Sequence, residues 1–447
     1  MRIGLNAIFA IVLSLFWSFA AQAQAVPDRA PTATIDVHTL PAIGTVNFDV
    51  EKATNAYLAQ VTGEARSKSD AYFEGGYLLL FLDALYALLI SALLLWLRIS
   101  FEMRRYAESI TRSRFWQAPI YVAMYVVITT VATFPLTLYE SFFREHAYGL
   151  SNQNFLQWLG DFGIGFAVNF IETTIALTIL YAVVRASRRT WWLWSTLVAV
   201  IFLALSFIVS PVLIDPLFNH YYSLKEGPVK NQILSLARAN GIPATNVYEF
   251  DASRQSKRIS ANVSGFMGTT RISLNDNLMN RSTPREIQAV LGHEMGHYVL
   301  DHSVILLTWL GLMYFLGFVF VNWGFGLLAN LFGGIWNVRS IDDPAGLPAV
   351  IALVTIFMLL STPVFNTIIR TTEAQADIFG LNAARQPDAF ATVTLKLSEY
   401  RKLDPSPLEE FVFYDHPSGR TRIFTAMRWK AEHIHDPDIQ LEPVSPQ

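Results

Sequence analysis

The chain has 447 residues, a net charge of −3 and a mean hydropathy of +0.33, and it is 52% hydrophobic against only 15% charged. A soluble domain of average composition has about a quarter of its residues charged, so a polytopic membrane protein is expected, and the near-neutral charge offers no global attraction to nucleic acid. The absence of cysteine excludes disulfides and cysteine–zinc sites, which leaves His, Asp and Glu to hold any metal.

The first 25 residues place Arg2 before an apolar run from Ile8 to Ala20, then small residues in A-x-A spacing at Ala21, Ala23 and Ala25. This is the layout of a secretory signal peptide or, failing cleavage, of a first span. Residues 26–76 form a polar N-terminal segment. Apolar runs then follow at 77–97, 119–139, 163–184, 191–213, 304–323 and 347–369. Each matches the ~20 residues needed to cross about 30 Å of hydrocarbon. The expected division is therefore a four-span membrane region at 77–214, a first catalytic part at 215–302, a two-span hairpin at 303–369 and a second catalytic part with a polar tail at 370–447. His433 and His435 belong to that tail.

Orientation is read from the short loops. Arg98, Arg104, Arg105, Arg112 and Arg114 follow the first span, and Arg185, Arg188 and Arg189 follow the third. Both loops are expected in the cytoplasm. The loop after the second span has Arg144 alone against Glu140, Glu145 and Asp161, and is expected outside. The two soluble regions then share the outer face, periplasmic if the chain sits in a bacterial inner membrane. Asp83, Asn169 and Glu172 lie within spans, where polar groups are costly and tend to line a cavity.

The segment "STPREIQAVLGHEMGH" carries the chemistry. Ser282 or Thr283 caps a helix, with Pro284 at its start and Glu286 in its first turn. His293 and His297, four apart, share one helix face and can grip a single Zn²⁺. Glu294, about 100° further round, is placed to take a proton from a water activated by that metal. His302 reads as a capping or membrane-edge residue. A catalytic zinc site needs a third protein ligand on the same membrane face. The sixth span returns to that face and ends in "EAQAD", so Glu373 is assigned as the ligand. Asp377 is assigned as a partner that accepts a hydrogen bond from a ligand histidine. Alternating segments at 245–253, 257–268 and 269–278 read as short strands.

HEMGH, a hydrophobic hairpin and EAQAD, together with "YDHPSGRTRI", "FREHAYGLSNQ" and "LIDPLFNHYYSLKEG", resemble the type I CAAX prenyl proteases, integral-membrane zinc metalloproteases. The resemblance spans roughly 77–424. It implies a mainly α-helical polytopic protein, with about six transmembrane helices around a water-filled chamber and a zincin-like catalytic domain containing a small β-sheet. It implies one Zn²⁺ per chain, His416 as a donor to the tetrahedral oxyanion, and Arg422 as a residue orienting His416, Asp377 or substrate. The family's substrate-aligning edge-strand asparagine corresponds, two residues displaced, to Asn262. The implied substrates are peptides or membrane-associated proteins, lipidated or not. A heat-shock-type membrane quality-control protease and a non-enzymatic zinc sensor are the competing expectations. Glu294 speaks against the sensor, because zinc binding alone has no use for a carboxylate beside the first histidine.

Overall fold

A computed structural model describes residues 48–265 and 270–439. The signal-like segment 1–25 lies outside the described residues.

The described residues open with α1 (Val50–Leu58), then the long α2 (Gly63–Trp96) and α3 (Ile99–Ile110). Next come α4 (Arg114–Leu138), prolonged by a π-helical turn, α5 (Phe155–Ala186) and α6 (Trp191–Val209). A soluble stretch follows: β1 (Tyr221–Ser223), α7 (Pro228–Ala239), β2 (Val247–Phe250), β3 (Ala261–Ser264), β4 (Arg271–Asn275), α8 (Asp276–Arg281) and α9 (Pro284–Val299). The second pair of long helices, α10 (His302–Trp336) and α11 (Leu347–Ala384), leads to α12 (Pro387–Leu397), α13 (Pro407–Phe413) and α14 (Gly419–Glu432).

Six helices among the described residues are long and apolar enough to span a membrane. They contain the six apolar runs but exceed them, because the apolar criterion sees only the part facing lipid. α2 starts at Gly63, well before the run at 77, and its polar first turns rise above the span, where Ser69 donates to the Arg401 carbonyl. The spans pack in the cyclic order α2, α4, α5, α6, α10, α11 and back to α2, with α3 bridging α2 and α4. Between none and 28% of each apolar window is buried against the rest of the chain. The spans pack on one another through two apolar clusters, one around Tyr121 and Tyr125 and one around Phe325 and Trp336. Asp83, Asn169 and Glu172 are all exposed, and Asn169 and Glu172 stand one turn apart on α5.

The arginine-rich loops gather at one end of the ring. Arg104 is buried against Asp343, Arg188 lies 3.3 Å from Asp342, and Arg339 bonds Glu108 at 2.8 Å. The opposite end carries the soluble domain. Its four-stranded sheet has the order β1-β2-β4-β3, with β2 parallel to β4 and the outer pairs antiparallel. Ala261, Ile272 and Leu274 of the sheet pack on Ile287, Leu291 and Met295 of α9. A second core joins Tyr57 and Leu58 of α1 to α9, α11, α12 and α14, so the N-terminal helix docks on the catalytic domain.

Candidate active site

Local sequence sets α9 firmly. Thr283 is the N-cap in a reciprocal capping box with Glu286, and Pro284 opens the helix. One face of α9 is apolar and covers the sheet. The other is nearly bare: a Cβ on Gly292 would meet the Gly380 carbonyl at 3.1 Å, and one on Gly296 the Ala376 Cα at 3.0 Å. Gly380 answers from α11, where a Cβ would lie 2.7 Å from the His293 backbone nitrogen. These glycines let the two helix backbones touch, and that contact brings the HEMGH segment against the EAQAD segment.

His293, His297 and Glu373 thereby form a group whose ligand atoms all lie within 4.8 Å of one another. The two histidine Nε2 atoms are 3.2 Å apart, and the Glu373 carboxylate oxygens are 3.2 Å and 3.4 Å from those of His293 and His297. A tetrahedral zinc with bonds of about 2.0–2.1 Å separates its ligand atoms by roughly 3.4 Å. The residues therefore fit one such ion. The electrostatics agree. Burial alone would lower the His293 pKa, but hydrogen bonds to Asp377 and Glu373 outweigh it and push the imidazole up to about 10.

Around the group, Asp377 Oδ1 lies 2.7 Å from His293 Nδ1 and accepts a hydrogen bond from it, so that Nε2 is the nitrogen left bare once the ring is neutral. Of the three partners the sequence left open for Arg422, its guanidinium meets Asp377, with Nε and Nη2 donating at 2.9 Å and 2.5 Å. Glu294 keeps a solvent-accessible edge yet is densely surrounded. That burial pushes its carboxyl above the ordinary range, against the opposing pull of His293 and His297. His416 Nε2 stands 3.2 Å from Glu373 Oε2, and its Nδ1 is 2.8 Å from Asp415 Oδ1.

Asn262 is not part of this cluster. It sits on the edge strand β3, alternating away from Ala261 and Val263 that pack toward α9, and its Oδ1 is buried with no partner among the described residues. Two neighbours are not read as part of the site in the sequence, where His302 is expected to be a capping or membrane-edge residue. His302 is buried and bonded to His297, and the Arg401 guanidinium lies 3.5 Å from His416 Nε2. A third histidine five residues past His297 was the only available signal for the first. Arg401 sits in a loop with no signal at all.

The profile of peptidase family M48 matches residues 223–430, and that described as the CAAX prenyl protease N-terminal region, five membrane helices, matches residues 50–220. An uncharacterized metalloprotease of Bacillus subtilis, YhfN, is 30% identical over 73% of this chain and 76% of its own length. The chain belongs to peptidase family M48. Among other relatives, CAAX prenyl protease 1 of Saccharomyces cerevisiae is 28% identical over 71% of this chain and 73% of its own. The human CAAX prenyl protease 1 homolog is 23% identical over 96% of both chains. The crystal structure of S. mikatae Ste24p shares the fold, with a TM-score of 0.68 at 21% identity over 85% of this chain and 94% of that one. This M48 member is thus a multi-pass membrane metalloprotease of the CAAX prenyl protease type, a hydrolase of peptide bonds.

Proposed function

We propose that His293, His297 and Glu373 hold one Zn²⁺ and that Glu294 and His416 do the proton and charge work around it. The carrying observation is the convergence of the three side chains, with the histidine Nε2 atoms 3.2 Å apart and the two Glu373 oxygens 3.2 Å from His293 and 3.4 Å from His297, closed by direct contact of α9 with α11. When bound, the zinc polarises the scissile carbonyl and activates a water for attack. Glu294 takes the proton of the attacking water and returns it to the leaving amine, a task suited to a carboxyl whose pKa burial holds above the ordinary carboxylate range. His416 donates to the oxyanion that develops on the carbonyl oxygen, with Asp415 bracing its far nitrogen. Asp377 fixes the His293 tautomer, and Arg422 holds Asp377 in place. Asn262, on the free edge of β3, aligns the peptide by strand addition.

The catalytic domain faces the periplasm of a bacterial inner membrane. The arginine loops at the opposite end support this reading, because positive loops stay cytoplasmic. Substrates are peptide segments of membrane-associated proteins reaching the site through the ring, and the CAAX prenyl protease relatives make a C-terminal, lipidated segment the first candidate. The test is cleavage of a pool of lipidated and unlipidated peptides by the detergent-solubilised protein and its Glu294→Gln variant, read by mass spectrometry. The parent should cleave and the variant should not, with zinc retained in both. Zinc in both with no cleavage in either would favour a sensor. Because the chain has no cysteine, single cysteines placed in the arginine loops and the catalytic domain read the orientation directly by impermeant-reagent labelling.

A further inference from the structure

Behind His297 runs a short chain of hydrogen bonds that the steps above do not use. α9 ends at Val299, and the backbone breaks at Leu300 and Asp301, the latter in the left-handed region with φ 53°. α10 then starts at His302 in a new direction. The break folds the His302 ring, only 1% exposed, back onto His297, with the two Nδ1 atoms 2.9 Å apart and the rings at 71°. Its other nitrogen, Nε2, lies 3.1 Å from Oε1 of Gln375, two residues beyond Glu373 on α11.

The protons on this chain follow from the ligand geometry. His297 Nε2 faces the metal group, so it must be bare, and the ring proton must sit on Nδ1. His302 Nδ1 then accepts that proton. Its own proton is therefore on Nε2 and is donated to the Gln375 amide oxygen. Every link has one donor and one acceptor, and swapping the tautomers would put a proton on the nitrogen that faces the metal.

We propose that His302 and Gln375 are positioning residues that lock His297 in the tautomer and orientation needed for zinc. This rests on the reading of His293, His297 and Glu373 as ligands. The two ligand histidines are held differently. His293 answers to a carboxylate that is itself pinned by Arg422, whereas His297 answers to a neutral relay. The relay orients without adding negative charge to a site that already contains Glu373, Asp377 and Glu294.

The full chain, stripped of metal in detergent, is titrated with zinc against a chelator of known affinity. The cobalt(II)-loaded protein is compared by its ligand-field spectrum, and metal-free melting is followed by circular dichroism. His302→Phe should weaken zinc binding about 10- to 100-fold and shift the cobalt spectrum. His302→Gln, whose amide oxygen can accept from His297 Nδ1, should recover most of the loss. Gln375→Leu should weaken binding, while Gln375→Glu, which keeps an acceptor, should not. Zinc affinity within twofold of the parent in both His302→Phe and Gln375→Leu overturns the relay, as does an equal loss in all four variants that tracks a lowered metal-free melting temperature. If His302→Phe does not fold, the Gln375 pair, at an exposed position, decides alone. A parent that binds no zinc overturns the ligand reading and the relay with it. Stoichiometric zinc in the parent with unchanged affinity in the variants overturns the relay only.

Discussion

Gly380→Ala tests whether contact between α9 and α11 builds the metal site. The new Cβ would stand 2.7 Å from the His293 backbone nitrogen and 3.0 Å from its Cα, against the 3.4 Å at which ordinary contact begins. Both opposing atoms belong to the helix backbone, so no side chain can swing away. The helices must part by several tenths of an ångström just where His293 and Glu373 face each other. A zinc site tolerates about 0.2 Å in its ligand distances, so the expected result is loss of tight zinc binding together with peptidase activity. Overpacking of this kind costs about 1–3 kcal/mol, partly offset by the gain of roughly 0.5–1 kcal/mol that alanine brings to a helix interior. Gly334→Ala is the control, since a Cβ there meets nothing within 4 Å, and it should leave zinc and activity intact. Zinc is measured by chelator competition and activity on whichever peptide the parent cleaves. A Gly380→Ala protein with parental zinc affinity and turnover would refute the argument that helix contact, rather than side-chain reach, assembles the site.

Four further outcomes are expected. His416→Ala should cut kcat about 10²- to 10³-fold while zinc content stays stoichiometric, and a loss of zinc would move His416 from charge stabilisation to metal retention. Asp377→Ala leaves Arg422 buried without its carboxylate, which should cost about 3–5 kcal/mol of stability in denaturant titration besides loosening His293, and Asp377→Asn should cost less. Because the metal-free His293 pKa is pushed up to about 10, zinc uptake at neutral pH should release close to one proton from that imidazole, and affinity should rise with pH until the pH passes the raised pKa. Indicator-dye titration in weak buffer measures the release. Glu286 is buried, yet hydrogen bonds from Lys396 and Thr283 outweigh the upward push of burial and hold its carboxyl below the ordinary 4.5. Its stabilising contribution is thus complete above that value and lost as pH falls through the depressed folded one. Glu286→Gln should flatten that part of the acid-stability curve.

What could be read before the structure was whatever is written in local period and length. The spans declare themselves as apolar runs, and His293, His297, Glu373 and Asp377 declare themselves as pairs spaced four apart on helices. Topology did the rest, because a hairpin of two spans must return its end to the side it left. The unread parts depend on long-range docking or on a change of direction. α1 lies in a polar segment, and only the distant α12 and α14 show why Tyr57 meets Asp388. His302 opens a membrane helix and looked like an edge residue, because nothing local reveals that the turn at Asp301 aims its ring backward. The glycines of α9 read as indifferent helix residues until α11 is seen against them.

A frame fastened at both ends has a mechanical consequence. A bundle with a filled interior keeps its two ends in register through that interior, and any bending of one helix reaches all the others. This frame has separate fastenings at its two ends as well. It is tied at one end by the clasp of Arg104, Arg188 and Arg339 with Asp343, Asp342 and Glu108, and at the other by the soluble domain. The short seam between α9 and α11, where glycines bring backbone to backbone, keeps His293, His297 and Glu373 together as one block. The tool is clamped to itself by that seam.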